Sequence, residues 1–311
     1  AEVGEAFTDI VSAGLVISIP SAQNTITTKV NGIRSAGTAG GNYPSTVLAN
    51  MTLAMGYVFL NTGPVSGGGA MLKLNRYRDM ADGIVIMNTS SSGVSYGIDL
   101  NVQCRSLHNI IVSSVPQAAG IYMRAALSEA SGNLVCGWTA GASFATAQPG
   151  LLFTNNILTK NVNGFSAVDA TKGFFYNNIS IGNTTSQWPT QPSQLEGASN
   201  NAGPAGLAWM TSGGSRVTIA TSDFADYANN NFKPANASSP QVETGVSFYG
   251  YITEDLAGRF MPDYMNGGAA VIDIGCYEFD HGYGPWPSTD ERGIAFTGLQ
   301  SGSKVKVFEA G

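Results

Sequence analysis

Among the few acids between residues 49 and 222 are Asp82, Asp99, Glu129 and Asp169. Two chemistries would use them. Proton abstraction beside a uronate carboxyl needs a base, and a cation to hold the developing charge. Hydrolysis of a glycosidic bond needs two carboxyls about 5 to 9.5 Å apart. Asp169, Lys172 and Arg124 have the residue types for the first and are the catalytic candidates to test first. Nothing in the spacing forces two acids together. The two histidines, His108 and His281, lie in different elements, and His108 directly precedes an apolar phrase. That position reads as a corner or surface residue rather than a base. The chain has no HExxH, GxSxG, P-loop or EF-hand pattern, and Gly67-Gly68-Gly69 lacks the Lys and Ser/Thr of a phosphate cradle. Neither a metal nor a cofactor is expected.

Binding a sugar without reacting on it needs less: exposed aromatic rings for stacking and amides for hydroxyls. Tyr122, Trp138, Trp188 and Trp209 are the candidates for glycan binding. The competing reading makes Tyr122 and Trp138 core or interface residues.

The elements that must position these side chains are written as a repeat. One phrase occurs four times: His108-Asn109-Ile110-Ile111-Val112, Gly132-Asn133-Leu134-Val135-Cys136, Asn155-Asn156-Ile157-Leu158-Thr159 and Asn177-Asn178-Ile179-Ser180-Ile181. Its asparagines stand 24, 23 and 22 residues apart (109 to 133, 133 to 156, 156 to 178). A second apolar beat follows glycine at Gly120-Ile121-Tyr122, Gly141-Ala142-Ser143-Phe144 and Gly164-Phe165. Short, partly β-branched runs divided by Gly, Asn, Ser and Pro are strands and turns, and no helical stripe survives here. A fixed period of this length means stacked units that bury a core only together. The expected fold is all-β: a right-handed parallel β-helix, or solenoid, with terminal caps. The repeated asparagine would tolerate a left-handed corner, and its amide could bond the asparagines above and below.

Charged residues are only 12% of the chain, against 39 glycines in 311 residues, so the surface must be rich in hydroxyls and amides. Net charge is −6, without a run of Lys or Arg, which argues against nucleic acid as a partner. No apolar run approaches the ~18 residues of a membrane span, so no membrane insertion is expected. Cys104, Cys136 and Cys276 form no CxxC and cannot all pair; they read as buried thiols. The start, Ala1-Glu2-Val3-Gly4-Glu5, reads as a processed product, a fragment or the ordered part of something longer.

In chain order, residues 1–48 read as an N-terminal β cap and 49–222 as the parallel β-helix. Within the latter, residues 183–206 carry no apolar beat and read as a long loop or an excursion off the solenoid. Residues 223–280 read as a C-terminal closing segment, and 281–311 as a linker and the start of a further small β module. Ile272, Ile274, Tyr277 and Phe279 would make the closing segment a lid over the last coil, with Asp255, Arg259 and Asp273 in paired charges.

The closing segment carries a resemblance. Asp226-Tyr227, Ser239-Pro240, Asp255-Leu256-Ala257-Gly258-Arg259 and Asp273-Ile274-Gly275-Cys276-Tyr277-Glu278-Phe279 occur in that order. They resemble the end of right-handed parallel β-helix proteins, a family of pectate-lyase-like enzymes, bacterial surface proteins and phage tail proteins. Gln241-Val242-Glu243 and Cys276 depart from the family's usual wording. Residues 294–309 resemble the opening of small modules in phage tail and fibre proteins. The resemblance implies a structural and attachment protein of a virion, of tail-spike or fibre type. It would self-associate as a homotrimer, contact other virion proteins and bind a host cell-surface polysaccharide. The alternatives are a secreted polysaccharide lyase or hydrolase and a bacterial surface adhesin. The implied location is the virion tail, the extracellular space or the cell surface.

Overall fold

The computed structural model describes residues 15–19, 46–48, 52–53, 57–61, 69–74, 79–88, 94–145, 149–166, 172–188, 196–205, 216–246, 255–257 and 271–279. Within them, three parallel sheets of nine, six and seven strands run side by side. Successive strands take the sheets in turn, so neighbours within a sheet are one coil apart. Ile110–Ser113, Ala119–Met123 and Glu129–Ser131 form one coil, and Leu134–Cys136, Ala140–Phe144 and Leu151–Thr154 form the next. Ile110 pairs with Leu134, Leu134 with Ile157 and Ile157 with Ile179. The chain is an all-β parallel solenoid, as the spacing of its asparagines implies. Parallel pairing extends back to Leu15–Ile19 and Thr46–Leu48, which join Tyr57–Asn61 and Gly69–Leu74. Residues 281–311, Asp169, Trp209 and Arg259 lie outside the described residues.

Inside the coils, side chains from all three sheets meet in one core. Ile86, Ile111, Val135 and Leu158 come from the first sheet, Ile98, Leu100, Ile121, Met123 and Phe144 from the second, Phe153 and Phe175 from the third. The first sheet is apolar on its outer side too. Met87, Ile110, Val112, Leu134, Ile157, Ile179 and Ile181 pack there with Phe224, Phe232, Leu256, Ile274, Cys276 and Tyr277 of the C-terminal segment. This explains why the repeated phrase is apolar without alternation: a parallel strand covered on both faces reads as a continuous hydrophobic run.

The closing segment therefore differs from a lid over the last coil. It lies against the flank of the first sheet, and Gly275 shows how closely: a Cβ there would come within 2.7 Å of Ile179 Cδ1. Asp255 and Asp273 accept backbone N–H groups of this segment. Asp255 takes those of Ala257 (2.8 Å) and Glu278 (2.9 Å), and Asp273 those of Glu243 and Phe279 (2.6 Å each).

The two roles expected of one asparagine are divided between adjacent residues. Gly83, His108, Gly132, Asn155, Asn177 and Asn200 occupy the left-handed corner. Gly83 is followed by the buried Ile84; the residue after each of the other five, Asn109, Asn133, Asn156, Asn178 and Asn201, turns its amide into the interior and is fully buried. Each Oδ1 accepts a backbone N–H from the coil before: Ile84 to Asn109, Asn109 to Asn133, Asn133 to Asn156, Asn156 to Asn178 and Asn178 to Asn201, at 2.9–3.1 Å. Each Nδ2 donates to a carbonyl of that coil, such as Ala130 from Asn156 (2.8 Å) and Phe153 from Asn178 (2.7 Å). The corner asparagines reach outward instead and hold the closing segment. Asn177 Nδ2 donates to Val246 O (2.9 Å) while its Oδ1 accepts Val246 N–H (2.8 Å), and Asn155 Nδ2 donates to Asp273 O (3.3 Å).

Residues 183–206 do not leave the solenoid throughout. Ser186 bridges to Asn163, and Gly197–Ser199 pairs with the third-sheet strand Gly173–Tyr176. Small residues fill the strand here, so no apolar beat marks it; the signal that remains is Asn201, the next step of the amide ladder.

Candidate functional site

On the outer face of the second sheet, Lys73, Asp99, Tyr122, Ser143 and Ser166 stand in register, one from each of five successive coils. A local break in alternation adds Tyr96 to this face. A Cβ on Gly97 would meet Ile111 Cγ2 at 2.6 Å and Trp138 at 3.1 Å, so Gly97 faces inward. Ile98 is also in the core. Two consecutive inward positions put Tyr96 and Asp99 on the same outer side.

The Tyr96 and Tyr122 rings stack with centroids 4.3 Å apart and planes 17° from parallel. Arg124, at the end of strand Ala119–Met123, lies over both rings, 4.5 Å from the centroid of Tyr122 and 5.7 Å from that of Tyr96. Its Nε–H donates to Asp99 Oδ1 at 2.8 Å, and Lys73 Nζ stands 4.0 Å from the other oxygen of that carboxylate. The Asp99 side chain is 3% exposed, whereas those of Arg124 and Lys73 are 38% and 30% exposed. Burial pushes the Asp99 carboxyl above its ordinary value, against the opposing pull of Arg124 and Lys73. Burial likewise raises the Tyr96 hydroxyl, with Tyr122 adding to the effect. The result is a fixed guanidinium with an aromatic floor, anchored by a buried acid. Such a patch has the donors and rings that recognition of a planar anion or a sugar ring requires; among the described residues it brings no second carboxyl beside Asp99 for hydrolysis.

A second polar cluster lies on the outer face of the third sheet. Glu129 is buried; Ser131 Oγ donates to its Oε1 at 3.0 Å and Arg105 Nε stands 3.5 Å from Oε2. Burial raises its carboxyl, offset in part by Ser131, Arg105 and His108. His108, at its corner with φ +48°, places Nδ1 2.7 Å from Asp82 Oδ1. Its Nε2 is buried with no hydrogen-bond partner among the described residues. No group of three or more His, Cys, Asp or Glu that could hold a metal occurs among the described residues.

The residues singled out from sequence meet different fates. Arg124 and Tyr122 come together in the second-sheet patch. Lys172 is half-buried at the start of the third-sheet strand Gly173–Tyr176, two coils beyond Arg124. Trp138 is 0% exposed and donates its Nε1–H to Ile111 O at 3.2 Å; Trp188 is 3% exposed and stacks on Phe165 at 4.6 Å. Both are core residues and present no ring to a ligand. The sequence reading did not include Lys73 and Tyr96 in a site. Aligning Tyr96-Gly97-Ile98-Asp99-Leu100 with Ala119-Gly120-Ile121-Tyr122-Met123 would have placed Asp99 beside Tyr122, but it pairs Tyr96 with Ala119 and gives no signal for either missed residue.

No helix among the described residues is long and apolar enough to cross a membrane. Comparison with known protein families, curated proteins and solved structures finds no match.

Proposed function

We propose that this chain is a structural and attachment protein of a virion, of tail-spike or fibre type, that binds extended host surface glycans along its side. The observation that carries the reading is the Lys73–Asp99–Arg124–Tyr96–Tyr122 patch, which shares its face with the Ser143 and Ser166 hydroxyls. Coils stacked at about 4.8 Å make a scaffold whose outer columns follow an extended polymer. The closing segment's resemblance to those of phage tail proteins and the low charge of the chain add support. Self-association into a homotrimer belongs to this reading. Light scattering on the intact chain tests it: a stable trimer is expected, and a clean monomer overturns the spike-type reading.

A secreted polysaccharide lyase or hydrolase is the second reading. The third-sheet cluster favours it, since Glu129 supplies a desolvated acid, Arg105 a cation and the Asp82–His108 pair a base. Release of unsaturated or reducing ends from a polysaccharide panel, abolished by Glu129→Gln, would establish it. No product release from the panel overturns it.

A further inference from the structure

We infer that the second-sheet patch reads acidic glycans, seating a uronate-type carboxylate on the outer edge of Arg124. The inference rests on the reading of this face as a glycan site and names the class of sugar it takes.

The geometry divides the guanidinium into two edges. A guanidinium carries five N–H donors in a fixed fork. Asp99 takes the Nε–H, and among the described residues the terminal Nη groups have no hydrogen-bond partner. Those groups lie on a side chain that is 38% exposed. Parallel N–H donors on a planar cation match a carboxylate in bidentate fashion, where an ammonium offers a point charge.

The fork is also held in place before any ligand arrives. Two stacked tyrosine rings lie under it and a buried carboxylate fixes its inner edge, so less side-chain freedom is lost on binding. The local charges favour an anion. With Asp99 ionised, Lys73 and Arg124 leave the patch at net +1 on a chain of net −6. An acidic ligand is therefore favoured at this patch relative to the net charge of the chain. Beyond Tyr122 the same column continues with Ser143 and Ser166, neutral groups suited to hydroxyls. Lys73 to Ser166 spans four coil steps, or about 19 Å at ~4.8 Å each. That length follows several units of an extended chain rather than one small ion.

The test is binding of the intact chain to immobilised oligogalacturonate, oligomannuronate, hyaluronan oligosaccharides and oligosialic acid. Each is paired with its carboxyl-reduced form, and neutral oligosaccharides and dextran sulfate oligosaccharides, which carry sulfate without carboxylate, complete the array. At least one carboxylated ligand should bind, and its reduced form should bind roughly ten- to a hundredfold more weakly, the range of a lost charge-assisted hydrogen bond. Arg124→Lys keeps a cation beside Asp99 and should show the same loss with unchanged thermal unfolding. If reduced or neutral sugars bind as tightly, or Arg124→Lys binds like the parent, the carboxylate inference falls and the glycan reading stands. Binding confined to sulfated oligosaccharides also sinks it. Binding to nothing on the array overturns both.

Discussion

Asn156→Ala should be among the most damaging single changes in this chain, while Asn155→Gly beside it should be nearly silent. Asn156 Oδ1 accepts Asn133 N–H and Asn133 Nδ2, both at 2.9 Å, and its Nδ2 donates to Ala130 O (2.8 Å) and Asn178 Oδ1 (3.0 Å). Four hydrogen bonds at a fully buried site are lost together. At about 1 kcal/mol each, with a further 1–3 kcal/mol for a buried donor left unmatched, the cost is roughly 5–7 kcal/mol. Truncation leaves the main-chain donor of Asn133 facing a methyl group, and water enters a packed coil only by opening it. Asn155 has φ +54° and one contact of its own, at 3.3 Å to Asp273 O. Glycine accepts that backbone without strain, so the change should stay within about 1 kcal/mol. Equilibrium unfolding in guanidinium, followed by far-UV circular dichroism, measures both variants; if unfolding is irreversible, the ranking of unfolding rates serves. An Asn156→Ala loss below about 1.5 kcal/mol, or one equal to that of Asn155→Gly, would refute the division of roles between the two asparagines.

Three further outcomes follow from packing and ionisation. Gly120→Ala drives a Cβ to 2.2 Å from Val135 Cγ1 and 3.0 Å from Gly141 O; overpacking of this kind should cost about 1–3 kcal/mol in the same assay. Cys104 and Cys276 are buried, and burial pushes the Cys136 thiol up to about 11. A thiol reagent at neutral pH should therefore modify none of the three until denaturant is added, and rapid labelling of native protein would contradict the packing. Asp99 and Glu129 have carboxyls raised by burial, so above their unfolded values the native state binds more protons than the unfolded one. Their contribution to stability falls as pH rises through the folded values and is recovered on acidification. Subtracting the stability–pH profiles of Asp99→Asn and Glu129→Gln from that of the parent should expose this slope, and a difference of opposite sign would refute the assigned cause.

The solenoid was legible because its constraints repeat. From His108 to Asn201 each described coil has a left-handed corner, an inward amide and apolar packing on the first sheet, so the same residue types recur at each period. The patch was harder to see because it is made once. Lys73 and Asp99 belong to successive coils, the positions that follow them in register are Tyr122, Ser143 and Ser166, and Arg124 stands two residues past Tyr122. Spacing alone also hid the inward turn at Gly97 that brings Tyr96 outward. Trp138 and Trp188 looked suited to sugar stacking because ring type says nothing about facing. The coil direction decides that, and it sends both inward.

The covering of the first sheet also restricts where a ligand can bind. Its outer face is apolar from Met87 to Ile181, and Phe224, Leu256, Ile274 and Tyr277 pack against that face. Corner asparagines fasten that cover through Val246, Thr244 and Asp273, so opening it would cost both hydrogen bonds and apolar burial. On the proposed glycan reading, recognition falls to the second and third faces, where both polar clusters lie. Truncating the two tyrosine rings with Tyr96→Ala and Tyr122→Ala should therefore weaken glycan binding without loosening the cover. Asn177→Gly should do the reverse, releasing Val246 while leaving the patch intact. Binding assays and limited proteolysis on the same three proteins separate the two. If Asn177→Gly weakens binding as much as loss of the rings, the faces are coupled and the separate-surface argument fails.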